Sequence, residues 1–522
     1  LRCKKVIRQP QTAKRTMKQS PETTPVILAV GEVSHKVNDL AEAQEPVALM
    51  ARAMRAAEDD AGADILGALD AVQVLGVVSW LYRNPAAQLC DALAINPPRQ
   101  VKAGMGGEKP IRLIHDAALS IQSGDAQAIA IVGGEAQNAF RKARRSKTRL
   151  NWTPRATKEE AWDDIEDTTL GVRETARALG VQWAPQIYPF FENALSHSLG
   201  QSPTEAVRSA AHIWAAYAAE SVSNPHAWSQ VPYDARDIAT ISKDNRMVAF
   251  PYPKLMVAND SVNQAAAVIV TSLAFAKAAG VDEERLVFFH GGAAAKEPDD
   301  FLLRARFNQC PAMEAVLCAA SREAGGAEAF DLAEIYSCFP VVPKLALKVL
   351  REEGLKSALA PTVAGGLTFF GGPMNNYMTH AVAAMVRRLR ARKGAVGLLY
   401  GQGGAMTKHH ALACSTTPPD RPLADDYSVQ EDADALRGDA PAVVDRYSGP
   451  AVVETYSAYY GPDGEPALGA VVLRTPDGAR TIAAASANDE DTIALLTDFD
   501  RSAIGVAGVV RDQNGRMTWS IE

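Results

Sequence analysis

Apolar and polar positions alternate in a doubly wound rhythm from Thr24 to about Ala136: short β-rich runs separated by segments of helical period. Val26 to Val30 predicts a buried strand and Pro46 to Ala61 a helix opened by proline. Ala71 to Val78 predicts a strand and Pro85 to Ile95 a helix. A glycine-rich turn, Gly104 to Gly107, then leads to a helix starting at Pro110 and ending at Ser123-Gly124, before the apolar strand Ala126 to Val132. The rhythm breaks over 137–257, which holds a basic cluster, helical segments and Trp152, Trp162, Trp183, Trp214 and Trp228. That stretch predicts a helical insertion with its own core.

The α/β rhythm resumes with strands at Ala265 to Thr271, Leu286 to His290, Leu332 to Tyr336 and Val396 to Tyr400, and helices near Pro311 to Ala324 and Met374 to Arg392. The fold class is therefore α/β: two similar halves, 24–136 with 258–285 and 286–417, around the insertion. After Thr417-Pro418-Pro419 the acidic segment 418–442 predicts a linker, and 443–522 a separate small β-barrel of OB-like kind. Its runs Val452 to Tyr460, Ala470 to Arg474 and Ala503 to Arg511 alternate with turn sequences such as Pro476-Asp477-Gly478 and Asn514-Gly515.

Charge and cysteine usage narrow the function classes. The net charge of -7 over 522 residues has no extended basic face beyond the start of the chain, so nucleic-acid binding has little support. The longest apolar runs are half the roughly twenty residues of a membrane helix, so no membrane span is expected. The six cysteines lie far apart, with no zinc spacing, which fits a reducing, cytoplasmic setting. Residues 1–23 predict a disordered basic tail; Met17, just before the first strand, is a candidate natural start, and a transit peptide is the alternative.

Four segments carry a resemblance. Ser123-Gly124-Asp125-Ala126 before Val132-Gly133-Gly134-Glu135, Glu334-Ile335-Tyr336-Ser337-Cys338-Phe339, Gly365-Gly366-Leu367 with Gly371-Gly372-Pro373, and the turn Gly401 to Gly404 occur in the order and context of thiolase motifs. Over roughly Thr24 to Thr416 the chain resembles the thiolase superfamily, most closely the sterol-carrier-protein-type thiolases. The resemblance implies acetyl-CoA acetyltransferase chemistry: a cysteine that holds the acyl group, a second thiol for proton transfer, and oxyanion donors.

The matching positions carry other residues. The nucleophile aligns with Gly107, or Gly106 if the turn shifts, and no cysteine lies between Cys90 and Cys310. The Asn or His of the second motif aligns with Tyr336, the histidine of Gly-His-Pro with Gly372, and the base cysteine with Tyr400. Cys338 stands where sterol-carrier-type thiolases also have a cysteine. Ordinary thiolysis or Claisen condensation is therefore not expected. Tyr336, Tyr377, Tyr400, His380, Lys408 and His409 are candidate substitute acids or bases, or packing residues. Gly365, Gly366, Gly403 and Gly404 either face a polar ligand with backbone groups or only shape turns.

The run Arg141, Lys142, Arg144, Arg145, Lys147 and Arg149 lies where thiolases hold the phosphates of coenzyme A, and is either a phosphate clamp or a solvated loop. The aromatics Tyr188, Phe190, Phe191, Trp214, Tyr217 and Trp228 either line an acyl pocket or build the insertion's core. No covalently bound cofactor and no metal is expected. Coenzyme A, an acyl-CoA or a lipid is the expected small-molecule ligand, and 443–522 is a candidate surface for a protein partner. The resemblance implies a homodimer through the strand at Arg99 to Ala103, yet its charges fit an unpaired edge and a monomer. Three functions stay open: an acyl-CoA or lipid binder without turnover, a retro-aldol enzyme acting on a lipid or sterol acyl-CoA, and a scaffold.

Overall fold

A computed structural model describes residues 20–161, 170–356, 359–513 and 515–521. The predicted basic tail and Trp162 fall wholly or mainly outside these residues. In chain order the strands are β1 Pro25–Ser34, β2 Ala71–Val74, β3 Arg99–Lys102, β4 Ala128–Ala136, β5 Met247–Ala249, β6 Tyr252–Pro253, β7 Asn263–Ser272 and β8 Val287–Lys296. They continue with β9 Leu332–Ile335, β10 Val396–Gly403, β11 Lys408–Ser415, β12 Gly449–Tyr460, β13 Pro466–Arg474, β14 Arg480–Ser486, β15 Ala507–Gln513 and β16 Arg516–Ser520.

One sheet has the order β3-β2-β4-β7-β1-β8-β11-β10-β9. The joint between its halves is narrow, because β1 meets β8 only at Val26↔Phe288 and Ile27↔Val287. The helices Lys109–Gln122 and Tyr377–Ala391 pack on strands of both halves, so they form the layer between them. Tyr377–Ala391 is buried from Tyr377 through Val386 and again at Leu389, the all-round burial of an inner helix. Pro46–Ala61 covers the far face of the first half and Pro311–Glu323 that of the second.

Several elements were not anticipated from the sequence, two of them in the second half. β11 opens on Lys408-His409-His410, polar residues that hide a strand, and the helix Val341–Glu352 follows a motif read only for its chemistry. The strand foreseen at Ala71 to Val78 stops at Val74.

The C-terminal region is a closed five-stranded barrel, β12-β13-β14-β16-β15 and back to β12, with the helix Glu490–Leu496 between β14 and β15 and a parallel β14–β16 contact. β5 pairs with β12, so the insertion extends the barrel's sheet. The barrel is not free-standing. Val471, Leu473, Ala483 and Ala485 point into it, whereas Ala470, Val472, Ile482 and Ala484 on the opposite face join the main core. Period two along β13 and β14 thus buries both faces, which is why these strands lack polar alternation.

The same docked face carries Arg480, which is fully buried. Its Nε and Nη2 donate to Glu454 at 2.8 and 2.5 Å, its Nη1 donates to the carbonyls of Leu302 and Arg304 at 2.6 and 2.5 Å, and its guanidinium stacks 4.8 Å over Phe307. The insertion shares the main core too. Tyr188 stacks on Phe339 at 4.5 Å and Phe190 on Phe301 at 5.6 Å, so the expectation of a separate insertion core is corrected. Nor is 418–442 a loose connection: its helix Gln430–Arg437 lies on Pro311–Glu323, and Tyr427 donates to Asp116 at 2.7 Å.

β3 ends the sheet, largely exposed, with Lys102 turned back to the carbonyl of Ala161. Among the described residues no helix is long and apolar enough to cross a membrane. A charged, back-tied edge strand disfavours pairing with a second copy. Sedimentation is expected to give the mass of a single chain, and a two-chain mass would refute this reading of the edge. Arg480→Met, which leaves the Leu302 and Arg304 carbonyls without their donor, should cost about 3–5 kcal/mol in urea unfolding.

Candidate functional site

Four turns converge between the halves. The Gly104–Gly107 turn enters the helix Lys109–Gln122; β9 delivers Tyr336 to Phe339, with the Tyr336 N–H on the carbonyl of Tyr400 at 3.0 Å; the bend at Gly365-Gly366 has positive φ of 117° and 72°; and β10 turns into β11 at Gly403 to Met406. A fifth contribution comes from the insertion, whose helix Ala184–Ser198 brings Tyr188 to the same place.

Gly107 is sealed. A Cβ there would overlap the Gln402 carbonyl and the Tyr336 hydroxyl, so the Tyr336 ring takes the space a side chain at 107 would need. Gly403 and Gly106 are closed in the same way by the carboxylate of buried Glu108. Gly372 differs, because the nearest atoms to a Cβ there lie at 3.5 Å, ordinary contact distance, and its N–H donates to the Asn259 carbonyl at 2.8 Å.

The backbone donors of the Gly365-Gly366 bend are consumed internally. Gly365 N–H donates to Thr362 Oγ1 at 2.8 Å, Gly366 N–H to Tyr377 Oη at 3.0 Å and Leu367 N–H to Ser337 Oγ at 3.2 Å. Tyr377 in turn donates to Glu334 at 2.7 Å, and Glu334 also accepts from Thr362 Oγ1 and the N–H groups of Val363 and Ala364 at 2.8, 2.9 and 3.0 Å. Burial outweighs these four donors and pushes the Glu334 carboxyl up to about 7. Tyr377 and Glu334 therefore brace the bend.

Tyr188 fills the centre. It donates to the Gly404 carbonyl at 2.9 Å and accepts from Gln402 Nε2 at 2.7 Å, and the same nitrogen lies 3.1 Å from Cys338 Sγ. Burial pushes the Cys338 thiol up to about 12, which keeps it out of its nucleophilic thiolate form. Tyr400 donates to His409 Nδ1 at 2.7 Å; His409 Nε2 faces the Met406 carbonyl at 3.0 Å and Cys310 Sγ at 3.3 Å. A carbonyl only accepts, so Nε2 carries the proton and His409 has no lone pair for Cys310. Burial lowers His409 to about 4 and raises Cys310 to about 12. Tyr336 is the exception: among the described residues no hydrogen-bond partner meets its hydroxyl.

The remaining sequence candidates do not join this cluster. His380 Nδ1 bonds Glu32 at 2.7 Å in a wholly buried pair completed by Arg387. Burial opposes the charge of Glu32, yet the His380 bond and the Arg387 guanidinium hold its carboxyl at about 2. Lys408 is half-buried at the start of β11, opposite Gly403. In the basic run Arg141 forms a bidentate pair with Asp260 at 2.6 Å and Lys142 donates to the Val37 carbonyl at 3.0 Å, while Arg144, Arg145, Lys147 and Arg149 are exposed. Glu108 and Gln402 had no sequence signal, and Tyr188 read as one aromatic among several.

A family model described as the thiolase-like protein type 1 additional C-terminal domain matches residues 429–515. The crystal structure of a monomeric SCP2-thiolase like protein type 1 from Mycobacterium smegmatis is 28% identical, covers 97% of this chain and 100% of its own, and superposes with a TM-score of 0.81. The chain is a member of the thiolase superfamily. Comparison with curated proteins returned no match. Two further solved structures share the fold. A Ltp2-ChsH2(DUF35) aldolase is 15% identical over 76% of this chain and 98% of its own, with a TM-score of 0.56. Human mitochondrial 3-ketoacyl-CoA thiolase in complex with CoA is 16% identical over 76% and 98%, with a TM-score of 0.53.

Against the thiolase superfamily's arrangement, the two glycines at expected reactive positions are physically different. Gly107→Ala is expected to destabilise by about 1–3 kcal/mol through overpacking, whereas Gly372→Ala should fall within about 0.5 kcal/mol of the parent in the same urea titration. The depressed Glu32 carboxyl contributes stability that is complete above pH 4.5 and drains away as pH falls toward 2, about 3 kcal/mol in all. The stability gap between the parent and Glu32→Gln should therefore narrow across that window and stay flat above it.

Proposed function

We propose that this thiolase-superfamily protein binds an acyl-CoA or lipid without performing thiolysis or Claisen condensation. The observation that carries the reading is the Tyr336 hydroxyl lodged against Gly107, at the position the motif match assigns to the acyl-holding cysteine. A covalent acyl route needs a thiolate there and oxyanion donors facing the acyl group. Here the thiols of Cys338 and Cys310 are held protonated, and the N–H groups of the Gly365-Gly366 bend are already bonded. Support for the ligand class comes from the thiolase neighbour in complex with CoA. The exposed Arg144, Arg145 and Lys147 remain available for its phosphates; Arg141 and Lys142 are engaged within the protein.

A second reading has one observation in its favour. The Tyr336 hydroxyl, with no hydrogen-bond partner among the described residues, supports a role as a phenol that orients a carbonyl in retro-aldol cleavage, and one structural neighbour is described as an aldolase. Titration calorimetry with CoA and decanoyl-CoA, followed by product analysis with acetoacetyl-CoA and a β-hydroxyacyl-CoA, separates the readings. Binding with no product is the expected result. Cleavage of the β-hydroxyacyl-CoA that disappears in Tyr336→Phe would replace it with the aldolase reading, and thiolysis of acetoacetyl-CoA would overturn both.

A further inference from the structure

A cavity of about 300 Å³ lies between the insertion helix Ala184–Ser198, the loop before Pro311–Glu323, and the helix Val341–Glu352. An adjoining cavity of about 340 Å³ shares Arg306, Gln309 and Glu314 with it and runs on toward the helix Gln430–Arg437. We propose that this groove is a binding site for a fatty carboxylate of medium chain length, with the chain between Leu199, Met313, Leu345 and Val349 and the carboxylate on Arg306. It gives the acyl or lipid ligand a seat outside the superfamily's reaction site, and to that extent rests on the binding reading above.

The wall chemistry points to the chain. Leu195, Leu199, Met313, Leu345 and Val349 line one cavity together, and Leu199 is 54% exposed, apolar surface that water must cover in the empty groove. Charge bookkeeping points to the head group. Lys348 is paired with Glu352 at 2.5 Å, and Arg437 with Glu297 and Asp434 at 3.0 and 2.5 Å. Glu314 also has an interaction of its own. Arg306 alone among the groove's cations has no acidic partner among the described residues, and it borders both cavities; Asp439 lines only the adjoining one. The lining is mixed, with Ser198, Asn308, Gln309, Glu314 and Glu352 beside the apolar side chains, and the planar guanidinium of Arg306 matches a carboxylate in a bidentate fork. The groove also reaches the reaction site's framework, since Cys310 lines it and contacts His409, whose other nitrogen holds Tyr400.

The test is calorimetric titration of the full chain with decanoate and, separately, decanoyl-CoA, using the parent, Arg306→Ala, Arg306→Lys and Leu199→Asp. Both residues are exposed, so melting temperatures should not change and lost binding will not report unfolding. Decanoate is expected to bind the parent, about tenfold more weakly in Arg306→Ala and Leu199→Asp, with much of the loss recovered in Arg306→Lys. Loss of decanoyl-CoA affinity in the same two variants would show that the groove also accepts the thioester. Decanoate binding with equal affinity in all variants overturns the groove and leaves the binding reading standing. Heat with decanoyl-CoA alone, unchanged by the substitutions, does the same, and no heat with either ligand overturns both.

Discussion

A guanidinium buried without water must have every donor met by the protein, and in this molecule that demand falls on Arg480. It sits on the barrel, but its acceptors include the carbonyls of Leu302 and Arg304 in the second half. Arg304, itself buried, extends the network although its Nε meets no hydrogen-bond partner among the described residues: its Nη2 donates to the carbonyls of Ala405 and Met406 at 3.0 and 2.9 Å, and its Nη1 lies 3.6 Å from buried Glu297. Glu297 is also held by Arg437 at 3.0 Å. The turn that Arg304 grips is the one that bonds Tyr188 and His409. Barrel, connecting segment, insertion and site turn are thus joined through a few charges that cannot be released singly, because each would leave another unpaired.

This constraint explains why the additional domain behaves as part of the body. An OB-like barrel presents one face of its strands inward; here the other face of β13 and β14 is spent on the main core, with Arg480 as its polar anchor. The insertion does the corresponding thing from the other side, laying Tyr188, Phe190 and Phe191 against Phe339, Phe301 and Phe307. One core is consequently built by side chains from the halves, the insertion, the connecting segment and the barrel.

The polar groups of the converging turns are spent inside the protein. Gly365 and Gly366 have positive φ, and their N–H donors are taken by Thr362 and Tyr377. Hydroxyls of Tyr188, Tyr377 and Tyr400 each bond within the protein, and burial raises each phenol's pKa, so they serve as neutral struts.

By itself the sequence determined the fold family, the two halves, the barrel and the residues standing at the four motifs, because periodicity, turn chemistry and motif order are local and survive without knowledge of contacts. It also determined that Gly107 cannot supply a thiol. What the local pattern could not carry were long-range pairings: Arg480 with carbonyls of Leu302 and Arg304, Tyr188 with Gln402, and Glu32 with His380 are each far apart in the chain. Lys408-His409-His410 read as chemistry because strand pairing, not composition, places them in β11. Only the tertiary structure decided that the tyrosine hydroxyls bond within the protein, that Gly107 is sealed while Gly372 has room for a Cβ, and that Arg306 is left over, since each depends on which distant groups arrive to satisfy a buried charge or fill a space.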